Sequence, residues 1–141
     1  MPQRVDDLNV ADHEDLLRRI WNQEPWINLK LLKDGTLRPS SVAFLDEINE
    51  VSVHRAVQKT PQEALQGFPD FGLVAIQAAV PRSVGLIVAE TPEDPDPSHR
   101  AICEPPNVQL ATSRKARARK MAEEARWIVE PLRFRQTPGT T

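Results

Sequence analysis

The chain has one cysteine, no tyrosine and only five glycines in 141 residues, and each shortage removes a class of protein. A lone Cys103 builds no intrachain disulfide framework and no zinc site made of several thiolates. A reducing, cytoplasmic setting is therefore expected. So few glycines leave no room for a Gly-rich phosphate loop of the P-loop or dinucleotide type. Aromatic residues make up only 5% of the chain, too few for a stacking platform that grips single-stranded nucleic acid. No apolar run approaches the roughly 20 residues that span a bilayer. The polar, acidic start "MPQRVDDLNVADHEDLLRR" does not read as a signal peptide. No membrane partner is expected.

A chain of this length suits one domain. The composition predicts a single α+β domain over residues 12–131, a flexible N-terminus over 1–11 and a flexible tail over 132–141. The net charge of -2 hides an asymmetry: residues 1–100 carry 10 Lys/Arg against 16 Asp/Glu (-6), and residues 101–141 carry 8 against 4 (+4). The basic excess concentrates in "SRKARARK", Ser113 to Lys120.

Asp12 is a good N-cap for a helix to about Trp21, on which Leu16, Leu17, Ile20 and Trp21 fall at helical spacing. "WINLKLL" alternates like a strand, and the Asp-Gly pair after it signals a turn. Pro39, Ser40 and Ser41 read as a turn or cap that starts a strand or buried segment over Val42 to Leu45. Val51 to Arg55 alternates as a further strand. "KTPQEALQGF" is a short helix: Thr60 caps it, Pro61 opens it, Glu63 completes a capping box and Gly67 ends it. Leu73 to Val80 and Val84 to Glu90 read as two central strands joined by a tight turn. "TPEDPDPSHR" is a loop, and Ala101 to Glu104 a strand. A last helix, capped by Thr112 or Ser113, is expected to run to about Val129 before Pro131 stops it. The sum is α+β: a mostly antiparallel sheet of four or five strands, with an N-terminal helix, a short middle helix and a long C-terminal basic amphipathic helix.

Chemistry is sparse. His13, His54 and His99 lack metal-ligand spacing, and Glu93, Asp94, Asp96 and His99 lack the spacing of a calcium loop. That acidic stretch reads as a solvated loop, and neither metal nor cofactor is expected. Ser40 and Ser41 have no nucleophile-elbow context, and Cys103 reads as a small buried hydrophobe. His99 is the best candidate base; its plainer role is to order its own turn. On the last helix Arg114, Lys115, Arg117, Arg119 and Lys120 form a candidate surface for nucleic acid or a protein partner. Glu123 and Glu124, one turn on, also allow an ordinary solvated, self-paired face.

Taken in order, "RRI" (Arg18 to Ile20), "RPSSVAF" (Arg38 to Phe44), "SVHRA" (Ser52 to Ala56), "DPSHRAI" (Asp96 to Ile102) and "ARKMAEEARWIVEP" (Ala118 to Pro131) resemble a group of short uncharacterised bacterial proteins. The resemblance covers about residue 15 to residue 131 and implies no activity. It departs from the group at Arg100, which stands between His99 and Ala101. Arg19, Ser40, Ser41 and His99 stand at expected element ends, as a polar site would. An Arg followed by a strand-start serine is also similar to transferases that hold a nicotinamide dinucleotide; these need a late glutamate, for which Glu90 or Glu104 are the candidates. The leading expectation is a small cytoplasmic bacterial accessory protein that binds a protein partner, as in a defence or toxin module. The alternatives are a small transferase-like enzyme or nucleotide binder using Arg19, Ser40, Ser41 and His99, and nucleic-acid binding through the last helix.

Overall fold

Burial on both faces of a strand erases the alternation that usually reveals it, and this governs the middle of the fold. The computed structural model describes residues 3–23, 27–28, 38–45 and 50–132. Its frame is a six-stranded antiparallel sheet in the order β6-β7-β4-β1-β5-β8. The strands are β1 (Asp15–Ile20), β4 (Glu50–Arg55), β5 (Gly72–Gln77), β6 (Ile87–Glu90), β7 (His99–Cys103) and β8 (Arg126–Val129). Two further short strands, β2 (Ile27–Asn28) and β3 (Arg38–Pro39), pair with each other. The α+β class stands, and the expected four or five strands become six. The rest of the expected strand "WINLKLL" and the Asp-Gly turn lie outside the described residues.

The segment expected as an N-terminal helix is β1, bonded to β4 on one side and β5 on the other. Leu16 and Ile20 enter the main core, and Leu17 enters a smaller cluster on the opposite face. Arg18 also points to the main-core side, so a charge occupies an inward position and the period of two is lost. With the alternation gone, Leu16, Leu17 and Ile20 match a helical spacing by default.

Two more expectations are corrected. Leu73 to Glu90 is not a hairpin. A short helix α2 (Ala79–Ser83), with Pro81 buried inside it, carries the chain from β5 to β6. Three strands separate β5 from β6. Four antiparallel steps between them make the two run in the same direction, which requires a crossover. The last helix, α3 (Arg114–Glu124), ends at Ala125, whose φ of -72° and ψ of 140° turn the chain into β8. Trp127, Ile128 and Val129 are β-favouring residues, and Trp127 and Val129 pair with Val74 and Leu73 of β5, with Ile128 at a register shift between them. Ala125, Ile128 and Val129 imitated a continuing helical stripe.

Local signals held where caps were written into the sequence. Helix α1 (Pro61–Ala64) carries the full Thr60/Glu63 capping box, and Gly67 follows with φ at 85°. Ser113 caps α3, its side chain accepting from the Ala116 N–H at 3.1 Å. Ser40 is also a cap: its Oγ accepts from the Val42 N–H at 3.2 Å. It opens a single 3₁₀ turn, Ser41–Phe44, so of the two expectations for Val42 to Leu45, strand or buried segment, the second describes Ala43 and Phe44.

One face of the sheet packs against α3, α2 and the 3₁₀ turn, which enclose the main core. The other face packs against α1, where Leu17, Ala64, Leu73 and Ala75 form the second cluster. At Gly72 the chains run so close that a Cβ would lie 2.7 Å from the Trp127 ring and 2.8 Å from Pro131. Gly72→Ala should therefore lower stability by about 2 kcal/mol through overpacking. Urea unfolding checks this, and a change below about 0.5 kcal/mol would contradict it.

Candidate functional site

The antiparallel register sets His54 of β4 directly opposite His99 of β7. Both project to the face that carries α1, and their rings meet edge to face with centroids 5.3 Å apart. The acidic loop 91–98 folds over the pair. His54 Nδ1 lies 3.0 Å from Ser98 Oγ, and Ser98 Oγ lies 2.7 Å from Asp96 Oδ1. A carboxylate only accepts, so Ser98 donates to Asp96, and the His54 Nδ1–H donates to Ser98. Lys59 is bound to the other oxygen of Asp96. The same logic holds at His99: Thr91 Oγ1 is 2.6 Å from Nδ1 and donates to the His99 carbonyl, so the imidazole N–H donates to Thr91.

Burial, then the positive charges of Lys59 and Arg19, push His54 down to about 4. Burial lowers His99 as well, against the opposing pull of Asp94 and Asp96. Burial works to raise the Asp96 carboxyl, but hydrogen bonds from Lys59 and Ser98 outweigh it and hold it well below the carboxylate range. The result at neutral pH is two neutral imidazoles locked against an ionised aspartate. Ser98 is buried and its proton is committed to Asp96, so His54 does not activate it as a nucleophile.

Of the four candidate residues from sequence, the fold brings two to this face. Arg19 lies beside the cluster, its Nε bonded to the Ala64 carbonyl and its guanidinium 4.2 Å above the Phe68 ring. His99 is within the cluster. Ser40 and Ser41 belong to the 3₁₀ turn on the opposite face, where the Ala43 carbonyl receives Arg18. The sheet separates the serines from His99. Of the two glutamates, Glu104 pairs with Arg117 and Glu90 ends β6 with its side chain exposed. Cys103 is buried, and burial followed by the Glu50 charge pushes its thiol up to about 11.

On α3, Arg117 turns inward to the Thr112 carbonyl and Glu104. Arg114, Lys115, Arg119 and Lys120 face solvent, with Lys120 bridged to Glu124 at 3.2 Å. Among the described residues no group of three or more His, Cys, Asp and Glu side chains gathers to hold a metal, and no helix is long and apolar enough to cross a membrane.

A third feature was not visible in the sequence. Residues 3–10 form a strap along β6, joined to it by the Asp6–Ala89 bridge and by the Asp7 N–H to Val88 carbonyl bond at 2.8 Å. Its charged residues turn inward. Asp6 Oδ1 accepts from the Val88 N–H at 2.9 Å and from Arg82 Nε at 3.1 Å. Asp7 is buried against Arg100 at 3.0 Å, and Arg4 holds Glu50 and Glu93. Arg82 also reaches the Val10 and Asp7 carbonyls at 2.7 and 3.0 Å. Val5 and Leu8 face outward, 71% and 88% exposed. They line a groove of about 290 Å³ together with Arg4, Asp6, Asp7, Glu90 and Pro92. A sequence signal existed only in hindsight: apolar residues stand singly at 5, 8 and 10 among acids, and only Val10 enters the core.

No family model, curated protein or solved structure matches this chain.

Proposed function

We propose that the protein works by docking a protein partner on the strap groove, as a small cytoplasmic accessory protein without catalysis of its own. The observation that carries this reading is the inverted strap. Its charged side chains are tied into the fold while Val5 and Leu8 are presented to water beside a groove. Isolated exposed apolar residues are common, but a pair on a strap bonded to the sheet and lining a groove is the form a binding site takes. The state of the polar residues agrees. The histidines are neutral and engaged, Ser98 is buried, and the serines of the 3₁₀ turn lie across the sheet from His99. That cluster reads as the element that fixes loop 91–98, and with it one wall of the groove.

The test compares tagged wild-type protein with a Val5→Asp/Leu8→Asp variant in its native cells. Both side chains are exposed, so thermal stability should be unchanged within about 0.5 kcal/mol. The wild type should retain a stoichiometric partner that the variant loses. Equal recovery from both proteins would contradict the proposal, as would a wild type that retains none.

A further inference from the structure

The strap groove does not end at Pro92. A second depression of about 340 Å³ begins on the other side of that residue, and the two share Glu90 and Pro92 as a common wall. The first is rimmed by Val5 and Leu8. The second is lined by the acidic loop, with Asp94, Asp96 and His99 among its walls.

The charges along this path are unequal. Asp6, Asp7 and Asp96 are balanced by Arg82, Arg100 and Lys59. Arg4 is shared between Glu50 and Glu93. Glu90, at the junction, has an exposed side chain that makes no ion pair with a described residue, while its backbone carbonyl accepts from Arg4 Nη1 at 3.1 Å. Asp94 faces His99 at 3.6 Å, and burial keeps that imidazole neutral near pH 7. Glu90 and Asp94 thus carry no Lys or Arg ion pair among the described residues where the strap groove meets the second depression.

We propose that the partner presents an extended segment in which an apolar residue is followed by Arg or Lys. The apolar side chain fills the groove between Val5 and Leu8, and the basic one crosses Pro92 to meet Glu90 and Asp94. This rests on the docking role proposed above and adds the chemistry of the occupant. The same acidity repels nucleic acid. A second copy of this chain, docking its basic α3 face, is the competing occupant.

The probe is a random peptide display library selected on the immobilised full chain, with sedimentation of the free protein run alongside. Selected peptides should be enriched in an apolar residue adjacent to Arg or Lys. Their binding should fall about tenfold with Glu90→Lys, weaken as salt is raised and vanish with Val5→Asp/Leu8→Asp, while the free protein sediments as a monomer. Peptides enriched in acidic or uncharged residues but still lost in the Val5/Leu8 variant would overturn the basic partner and leave the docking site standing. Peptides indifferent to Val5 and Leu8 would overturn both. Self-association abolished by Glu90→Lys would overturn the separate partner in favour of a second copy.

Discussion

Arg18→Ala is expected to cost about 4 kcal/mol, enough to leave a domain of this size near its unfolding threshold. Arg18 is a buried guanidinium on a central strand, only 6% exposed. Its Nε and Nη2 donate to the Ala43 carbonyl at 3.1 and 2.9 Å, and its Nη1 donates to the Ser52 carbonyl at 2.9 Å. It therefore ties the 3₁₀ turn to the sheet. Removing it leaves a cavity under the turn and two backbone carbonyls without these donors, each worth about 1–3 kcal/mol when buried. Arg18→Lys keeps the charge but not the planar fork that serves two carbonyls at once, so about half the loss should remain. Urea unfolding of the three proteins reads this directly. A loss below about 1 kcal/mol for Arg18→Ala would refute the role given to Arg18.

The second large effect is acid sensitivity. His54 titrates at about 4 in the fold against 6.5 when unperturbed. The unfolded chain then binds a proton that the folded one refuses, so stability rises with pH across that interval. The His54 contribution is complete above pH 6.5 and drains away as the pH falls to about 4, amounting to about 3 kcal/mol over the window. His99 is shifted in the same direction and steepens the slope. Asp96 is held low, so its own loss begins only at more acidic pH, where the unfolded carboxyl starts to protonate. Unfolding free energies between pH 7 and pH 4 should fall for the wild type and fall much less for His54→Gln. Parallel curves for the two proteins would contradict the assignment.

How much of this was legible in the sequence depends on the kind of information each residue carries. Thr60, Pro61 and Glu63 encode a cap within four positions, and the helix is where they place it. Val51, Val53 and Ser52 alternate on a strand, and β4 follows. By contrast, Leu16 to Ile20 and Arg126 to Val129 have their structure imposed by strands far along the chain, and local spacing mistook both for helix. The neighbours of β6 were equally hidden, because an apolar run says that a strand is central without saying what lies beside it.

The candidate site divides the same way. His99 and Arg19 stood out as polar residues at element ends, and the fold sets both around one cluster. Ser40 read both as a cap and as a candidate site residue, and its side chain is a cap. His54 was overlooked because it lies 45 positions from His99, and only the β4–β7 register makes them neighbours. The strap was least legible of all. Asp6, Asp7 and Arg4 face inward only because Arg82, Arg100, Glu50 and Glu93 wait there, and none of these is near them in sequence.

Partner docking is proposed on the strap groove and not on the basic face of α3. A photo-crosslinking side chain placed at Leu8, and separately at Lys115, distinguishes the two surfaces, since both positions are exposed on different parts of the fold. Irradiation in the native cells should give one discrete protein adduct from position 8 and none from position 115. An adduct from position 115 with none from position 8 would contradict the claim and move the function to α3.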